Sequence, residues 1–407
     1  YKVMDWNNLP QDLVDLILSK VFAKDRHNFS LVCRSWNTVV AASPFRHSPC
    51  LMFNQRKKKH VWKLSQNNNF FYMEFPQLQG GTIRFANHGW LLISRGDDET
   101  LFFYHPFNHH MIEVPSPSDS NCAGYTTICF FHPPTSPDCF VVGIVTQLDQ
   151  WSDTVDIGVL KHGEDKWENC TYQSQIFQSS IGPPILHGGL VYFLDTDGDV
   201  ATFDIREHGS LSSWKVFPDC LPKCLPECLE KHWSRKCIKE HYFIKPKGEE
   251  TIFAVFAVHG EREVKVYSLS ETFSWELVED LVFYVSNSCS FGYTTDVRSK
   301  STFSWELVED LGDRVFYVSN SCSFGYTTDV RSKSMKNKIF FPKFHGDNVV
   351  YYSLDTHKYH SFEGGYSCNN PHGLKKLNFA TWIMPGSTDT ELPKESLEWC
   401  PKLISES

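Results

Sequence analysis

Four short stretches of this chain are variations on one pattern: TLFFYHP (100–106), VATFDI (200–205), VKVYSL (264–269) and VVYYSL (349–354). Three of them follow a glycine turn, at Asp197-Gly198-Asp199, His259-Gly260-Glu261 and His345-Gly346-Asp347. Upstream of those turns lie LVYFLD (190–195), TIFAVFAV (251–258) and KIFFPKF (338–344), and a tryptophan, Trp214 or Trp275, comes after two of the units. Aromatic and β-branched runs broken by Gly, Asp, Asn and Pro turns read as strands. The unit is therefore strand, tight turn, strand, then an aromatic closing residue.

Such a unit cannot cover both of its own faces, so its copies must stack side by side. Radial stacking buries sheet faces and leaves only short edges, which predicts a β-propeller over 70–385. At ~40–50 residues per blade, a span of about 315 residues holds six to eight blades. A pair of β-sandwiches is the rival, and it accounts less well for a motif that recurs as a unit. The fold class expected is mainly β, with a small helical N-terminal module. A linker is expected at 48–69 and a tail at 386–407.

One passage occurs twice. TFSWELVEDL stands at 272–281 and 302–311, and VFYVSNSCSFGYTTDVRSKS at 282–301 and 315–334, without a change. Packing tolerates wide substitution, so it cannot require such identity. A very recent duplication, or an error in joining exons, explains it better. Only the second copy carries Gly312-Asp313-Arg314 between its two parts, whereas in the first Leu281 runs straight into Val282. Without that turn signal the first copy cannot fold back in the same register. It is expected to be the misfit, extruded or irregular.

The N-terminal forty residues follow a different period. In LPQDLVDLILSKV, Pro10 suits a first helical turn and Asp12 the positive end of the helix dipole. Leu13, Leu16, Ile17 and Val21 then fall at helical spacing. After Asp25, a candidate cap, Phe29, Val32, Cys33, Trp36, Val39 and Val40 make a second amphipathic stripe. Two or three such helices bury little alone. Their apolar faces must meet either the large domain or a separate protein.

In order and spacing, Leu9-Pro10, the Leu13/Ile17 ridge, a charged joint, then Leu31-Val32-Cys33 and Trp36 resemble an F-box, here over 5–47. The resemblance implies docking on a Skp-type adaptor and, through it, a cullin–RING ubiquitin ligase. Leu9, Pro10, Leu13, Ile17, Val32, Cys33 and Trp36 would then lie in or directly behind the adaptor interface. Further along, NHGWLLIS…LFFYHPFNHHMIEVP is similar to plant F-box proteins with a C-terminal KIB-type (kelch-like) β-propeller. That family's Asn-Pro-Phe/Leu phrase reads His105-Pro106-Phe107 here, and its Leu-Pro reads Val114-Pro115. The resemblance implies a non-catalytic receptor subunit whose propeller binds an unknown target protein, in the cytoplasm or nucleus.

Other classes find less support. A net charge of −9 argues against a general nucleic-acid surface. No run of 18 apolar residues predicts a membrane span. The chain begins at Tyr1 rather than at an initiator methionine, which leaves a cleaved or truncated leader open. Fourteen scattered cysteines fit a reducing compartment, and the sequons at Asn28 and Asn169 read as chance matches. The basic run Arg56-Lys57-Lys58-Lys59-His60 reads as a solvated turn rather than an import signal. Cys220, Cys224, Cys228 and His232 recur every four residues, with Cys237 nearby. Pro222 and Pro226 interrupt any helix that would align them on a metal. His105, His109 and His110 lie in a strand–turn phrase and lack further ligands. No catalytic motif is present, and neither cofactor nor metal is expected.

Overall fold

The computed structural model describes residues 9–21, 25–42, 49–54, 61–66, 69–96, 100–117, 125–146, 154–173, 177, 182–195, 198–218, 220, 238–258, 264–278, 296–328, 333–362, 364–369, 373–377, 380–384 and 398–399. Three helices come first: α1 (Gln11–Lys20), α2 (Arg26–Ser30) and α3 (Arg34–Ala42). Among the described residues, everything regular after them is strand, apart from short 3-10 turns.

The strands group by sequence neighbourhood, as tight turns dictate. The first sheet holds β1 (Cys50–Asn54), β2 (Val61–Gln66) and β3 (Asn69–Glu74). Residues 48–69, read from the sequence as a linker, thus carry two strands and the start of a third. The second sheet runs β4 (Gly81–Asn87), β5 (Trp90–Arg95), β6 (Thr100–Tyr104) and β7 (Met111–Val114). The third is β8 (Thr127–Phe131), β9 (Phe140–Thr146), β10 (Thr154–Lys161) and β11 (Glu168–Gln173). The fourth is β12 (Ile185–His187), β13 (Leu190–Leu194), β14 (Val200–Asp204) and β15 (Trp214–Phe217).

The fifth sheet is β16 (Ile238–Ile244), β17 (Phe253–Val258), β18 (Val264–Val278) and β19 (Asp296–Val308). The sixth contains the hairpin β20 (Arg314–Ser319) and β21 (Cys322–Thr327), then β22 (Lys338–His345) and β23 (Asn348–Ser353). It ends with β24 (Lys358–Ser361), β25 (Ser367–Cys368) and β26 (Lys375–Lys376). Gly346, at φ +60°, supplies the left-handed residue of the β22–β23 turn that the sequence pattern marked. Finally β27 (Thr381–Ile383) returns to pair with β1.

Packing shows how the sheets sit. Met52 and Leu91 share a core between the first and second sheets. Phe103, Phe130 and Phe193 join the second, third and fourth. Leu194 with Phe256 links the fourth to the fifth, and Val255 with Ile339 the fifth to the sixth. Leu51 with Phe340 then connects the sixth back to the first. Six sheets among the described residues therefore form a closed ring, the arrangement of a β-propeller. Inner strands buried on both faces explain why β5 and β6 read as near-continuous apolar runs rather than as alternation.

The hub is filled by the β20–β21 hairpin. Ala86 N–H of β4 donates to Ser321 C=O at 2.8 Å, and Lys247 N–H, just past β16, to Gly325 C=O at 2.9 Å. The Trp382 indole of β27 donates to Val318 C=O at 3.2 Å, and β20 runs parallel to β22. One hairpin thus touches four of the six sheets.

The duplicated passage is split unequally. The second copy supplies the last residues of β19, the Leu311–Arg314 turn and both strands of the hub hairpin. The first copy, expected to be extruded or irregular, is regular at both described ends. Residues 272–278 extend β18 and pair with 296–302 in β19. Residues 279–295 lie outside the described residues, as do the basic run at 56–60 and Cys224, Cys228, His232 and Cys237.

Candidate docking face

Pro10 caps α1, and its carbonyl accepts from the N–H groups of Leu13 and Val14 at 3.1 and 3.2 Å. Asp12 lies in the first turn, where a negative charge is favourable. Apolar residues then occupy 13, 14, 16, 17 and 18, too many for one stripe, so the helix has two apolar sides. Val14 and Leu18, four apart, face inward with Phe29, Trp36 and Val39. The Phe29 and Trp36 rings stack with centroids 4.3 Å apart. Leu9, Val21, Cys33 and Val40 pack against this cluster, which among the described residues holds none from the sheets.

The other side of α1 is exposed. Leu13 is 42%, Leu16 58% and Ile17 36% exposed, and in the turn before α3 Leu31 is 68% and Val32 53% exposed. An isolated exposed leucine is ordinary, but five large apolar side chains on one small helical unit are not. Pro10 is also exposed, beside half-buried Leu9. Of the seven residues singled out in the sequence, Pro10, Leu13, Ile17 and Val32 lie at the surface. Leu9 and Cys33 lie at its margin, and Trp36 lies behind it at 8% exposure. Leu16 and Leu31 stand out in the structure and were not among the seven. Leu31 is the most exposed of the group, and Leu31-Val32-Cys33 was already part of the motif that carried the F-box resemblance.

The histidine and cysteine groups singled out in the sequence are described only in part. His105 is buried and His109 Nδ1 contacts the Tyr104 hydroxyl at 2.7 Å. Among the described residues no group of three His, Cys, Asp or Glu is arranged to hold a metal ion. Cys220 is buried, its thiol 2.9 Å from Phe217 C=O, and the described cysteines form no disulfide among themselves. No helix among the described residues is long and apolar enough to cross a membrane.

A small helical unit with an exposed apolar side, followed by a closed ring of sheets, is a helical module joined to a β-propeller. The chain belongs to the KIB1-4 beta-propeller family, whose model matches residues 61–364, and an F-box domain matches residues 6–48. Two F-box/kelch-repeat proteins of Arabidopsis thaliana are 27% and 28% identical, each over 52% of this chain. The chain spans 56% and 58% of the length of those relatives. An F-box protein of the same plant is 24% identical over 69% of this chain and 70% of its own length. Among solved structures, Kluyveromyces lactis Hsv2 aligns at 11% identity over 64% of this chain and 98% of its own. Its TM-score of 0.23 carries no argument.

Proposed function

We propose that this chain is the substrate-receptor subunit of a Skp–cullin–F-box ubiquitin ligase. The observation that carries the reading is the exposed apolar side of the helical unit at Leu13, Ile17, Leu31 and Val32, beside a separate inner cluster of Val14, Leu18, Phe29, Trp36 and Val39. Covering that side with the helices of an adaptor removes it from water at about 25 cal/mol per Å² of apolar area. The propeller offers its loops to a target protein, and the chain itself makes and breaks no bond. Its contribution is proximity, because tethering raises the effective concentration of target lysines near the ubiquitin donor. The place of action is the cytoplasm or nucleus, where such an assembly works.

Affinity capture tests the reading. The parent chain should bring down a Skp-type adaptor and a cullin, and Leu31→Asp with Val32→Asp should lose both while keeping the parent's far-UV circular dichroism. Target proteins should remain bound to that variant and accumulate when the proteasome is blocked. Normal adaptor capture by the double variant would remove the docking face. Adaptor capture without cullin would instead place the protein outside the ligase, as a binding module.

A further inference from the structure

The duplication gives this chain two ways to build one part of its propeller. Thr272 and Thr302, the first residues of the two copies, are paired across the β18–β19 ladder, and Val278 pairs with Asp296 inside the first copy. The first copy therefore leaves the blade by prolonging β18 and comes back by prolonging β19. The second copy supplies the residues that pack. Trp305 is 1% exposed, its indole donates to Gly198 C=O at 2.9 Å, and its backbone N–H donates to Cys220 C=O. Val315, Phe316 and Val318 are fully buried in the hub. Trp275, Val282, Phe283 and Val285 are the same residue types at the same positions of the first copy. Over thirty residues, side-chain chemistry cannot tell the copies apart.

Gly312-Asp313-Arg314 can. Leu311 is fully buried and its N–H donates to Asn337 Oδ1 at 3.0 Å. Gly312 takes φ +63°, and its N–H donates to Asp310 Oδ1 at 2.7 Å. Arg314 N–H closes the turn on Leu311 C=O, and its guanidinium Nε reaches both Glu249 oxygens at 2.9 and 2.8 Å, next to the Phe253 ring. This turn takes the chain from the outer strand of the fifth sheet to the hub. The first copy has no residue for the left-handed position and no cation for Glu249.

We propose that Gly312-Asp313-Arg314 is a register selector: it decides which of two identical segments enters the propeller, and the other becomes an added loop. In the state seen, the second copy is in, and the described ends of the first copy, 272–278 and 296–301, extend a hairpin instead of interrupting a core. In the opposite state the first copy would enter and 302–334 would be expelled ahead of β22. Removing 272–301 brings Glu271 onto Thr302, and the Ser270–Ser304 pair then closes a hairpin over Glu271, Thr302 and Phe303. Three residues is an allowed hairpin loop.

Aspartate at equivalent positions of the two copies tests the selector in the full chain. Val285→Asp should leave the thermal midpoint and near-UV circular dichroism of the parent unchanged, and Val318→Asp should lower the midpoint and alter the spectrum. A second chain moves the tripeptide, with 312–314 deleted and Gly-Asp-Arg inserted after Leu281. There the sensitivities should exchange, Val285→Asp becoming disruptive and Val318→Asp silent. A third chain lacking 272–301 should melt as the parent does. The proposal is overturned if Val285→Asp disrupts the parent, if sensitivity stays at Val318 after the move, or if the moved or shortened chain fails to fold.

Discussion

Leu51 and Trp382, from opposite ends of the chain, face each other across the β1–β27 ladder and share one core. That pair closes the ring: three N-terminal strands and one C-terminal strand make a single sheet. Trp382 also donates its indole N–H to Val318 C=O of the hub hairpin at 3.2 Å and meets the Tyr317 ring edge-on at 4.9 Å. Trp382→Ala should therefore cost about 3–5 kcal/mol, the range for a buried aromatic cut to a methyl group. Trp382→Phe, which keeps a ring but leaves the Val318 carbonyl without its donor, should cost less. Urea midpoints of the two variants check the order.

Between the fifth and sixth sheets, Glu240 accepts from Lys376 Nζ at 2.7 Å and lies 3.1 Å from Lys343 Nζ. Burial works against the Glu240 charge, but the two ammonium groups outweigh it and hold the carboxyl below its usual range. Lys343, almost fully buried, also lies over the Phe341 and Tyr359 rings. Glu240→Gln leaves that ammonium without a counter-charge and should destabilise the protein by about 3–5 kcal/mol. Glu240→Leu combined with Lys343→Met removes the buried pair, leaves only the part-exposed Lys376 ammonium, and should recover much of the loss. A double-mutant cycle in urea reads the coupling.

How far the sequence could be read depended on whether the deciding contact was local. The strand of VVYYSL and the turn at Gly346 were legible because both are specified within a dozen residues. The strands in 48–69 were not, since β1 owes its place to β27 and nothing near it announces that partner. On α1, periodicity put Leu13, Leu16, Ile17 and Val21 together. With apolar residues also at 14 and 18, it could not say which stripe is inside, and packing against Phe29 and Trp36 decides for Val14 and Leu18. The candidate face was thus picked out through the resemblance, Leu31 included, and the structure adds that Leu31 is its most exposed residue.

Two imidazoles should make the fold sensitive to mild acid. Burial, helped by nearby His110 and His109, lowers the pKa of His105 to about 4. Burial takes His241 to about 4 as well, against the opposing pull of Glu240, and among the described residues neither ring nitrogen of His241 has a hydrogen-bond partner. An unfolded histidine takes up its proton near 6.5, so between about 6.5 and 4 the unfolded chain binds protons that the folded one refuses. Stability should fall as pH drops through that window, by up to about 1.4 kcal/mol per unit for each group. Below the usual carboxylate value, protonation of Glu240 adds a further loss of the same sign. Urea midpoints at pH 7 and pH 5 should differ less in His241→Phe than in the parent.

Near the C-terminus, Trp399 is buried between the second and third sheets, stacked on Phe103 at 5.6 Å and beside His162 at 5.1 Å. Its indole donates to Glu164 C=O at 3.1 Å, and its own carbonyl accepts from Gly163 N–H at 3.0 Å. Two backbone hydrogen bonds and a stacked ring at one residue make an anchor, because the ring fills space that the sheets do not fill themselves. Trp399→Ala exposes Phe103 and should cost about 3 kcal/mol or more. The same change removes the contacts that hold residue 399 to the sheets, so trypsin should cut on the C-terminal side of the propeller earlier than in the parent. If the tail of the variant resists trypsin as long as the parent's does, the anchor lies elsewhere.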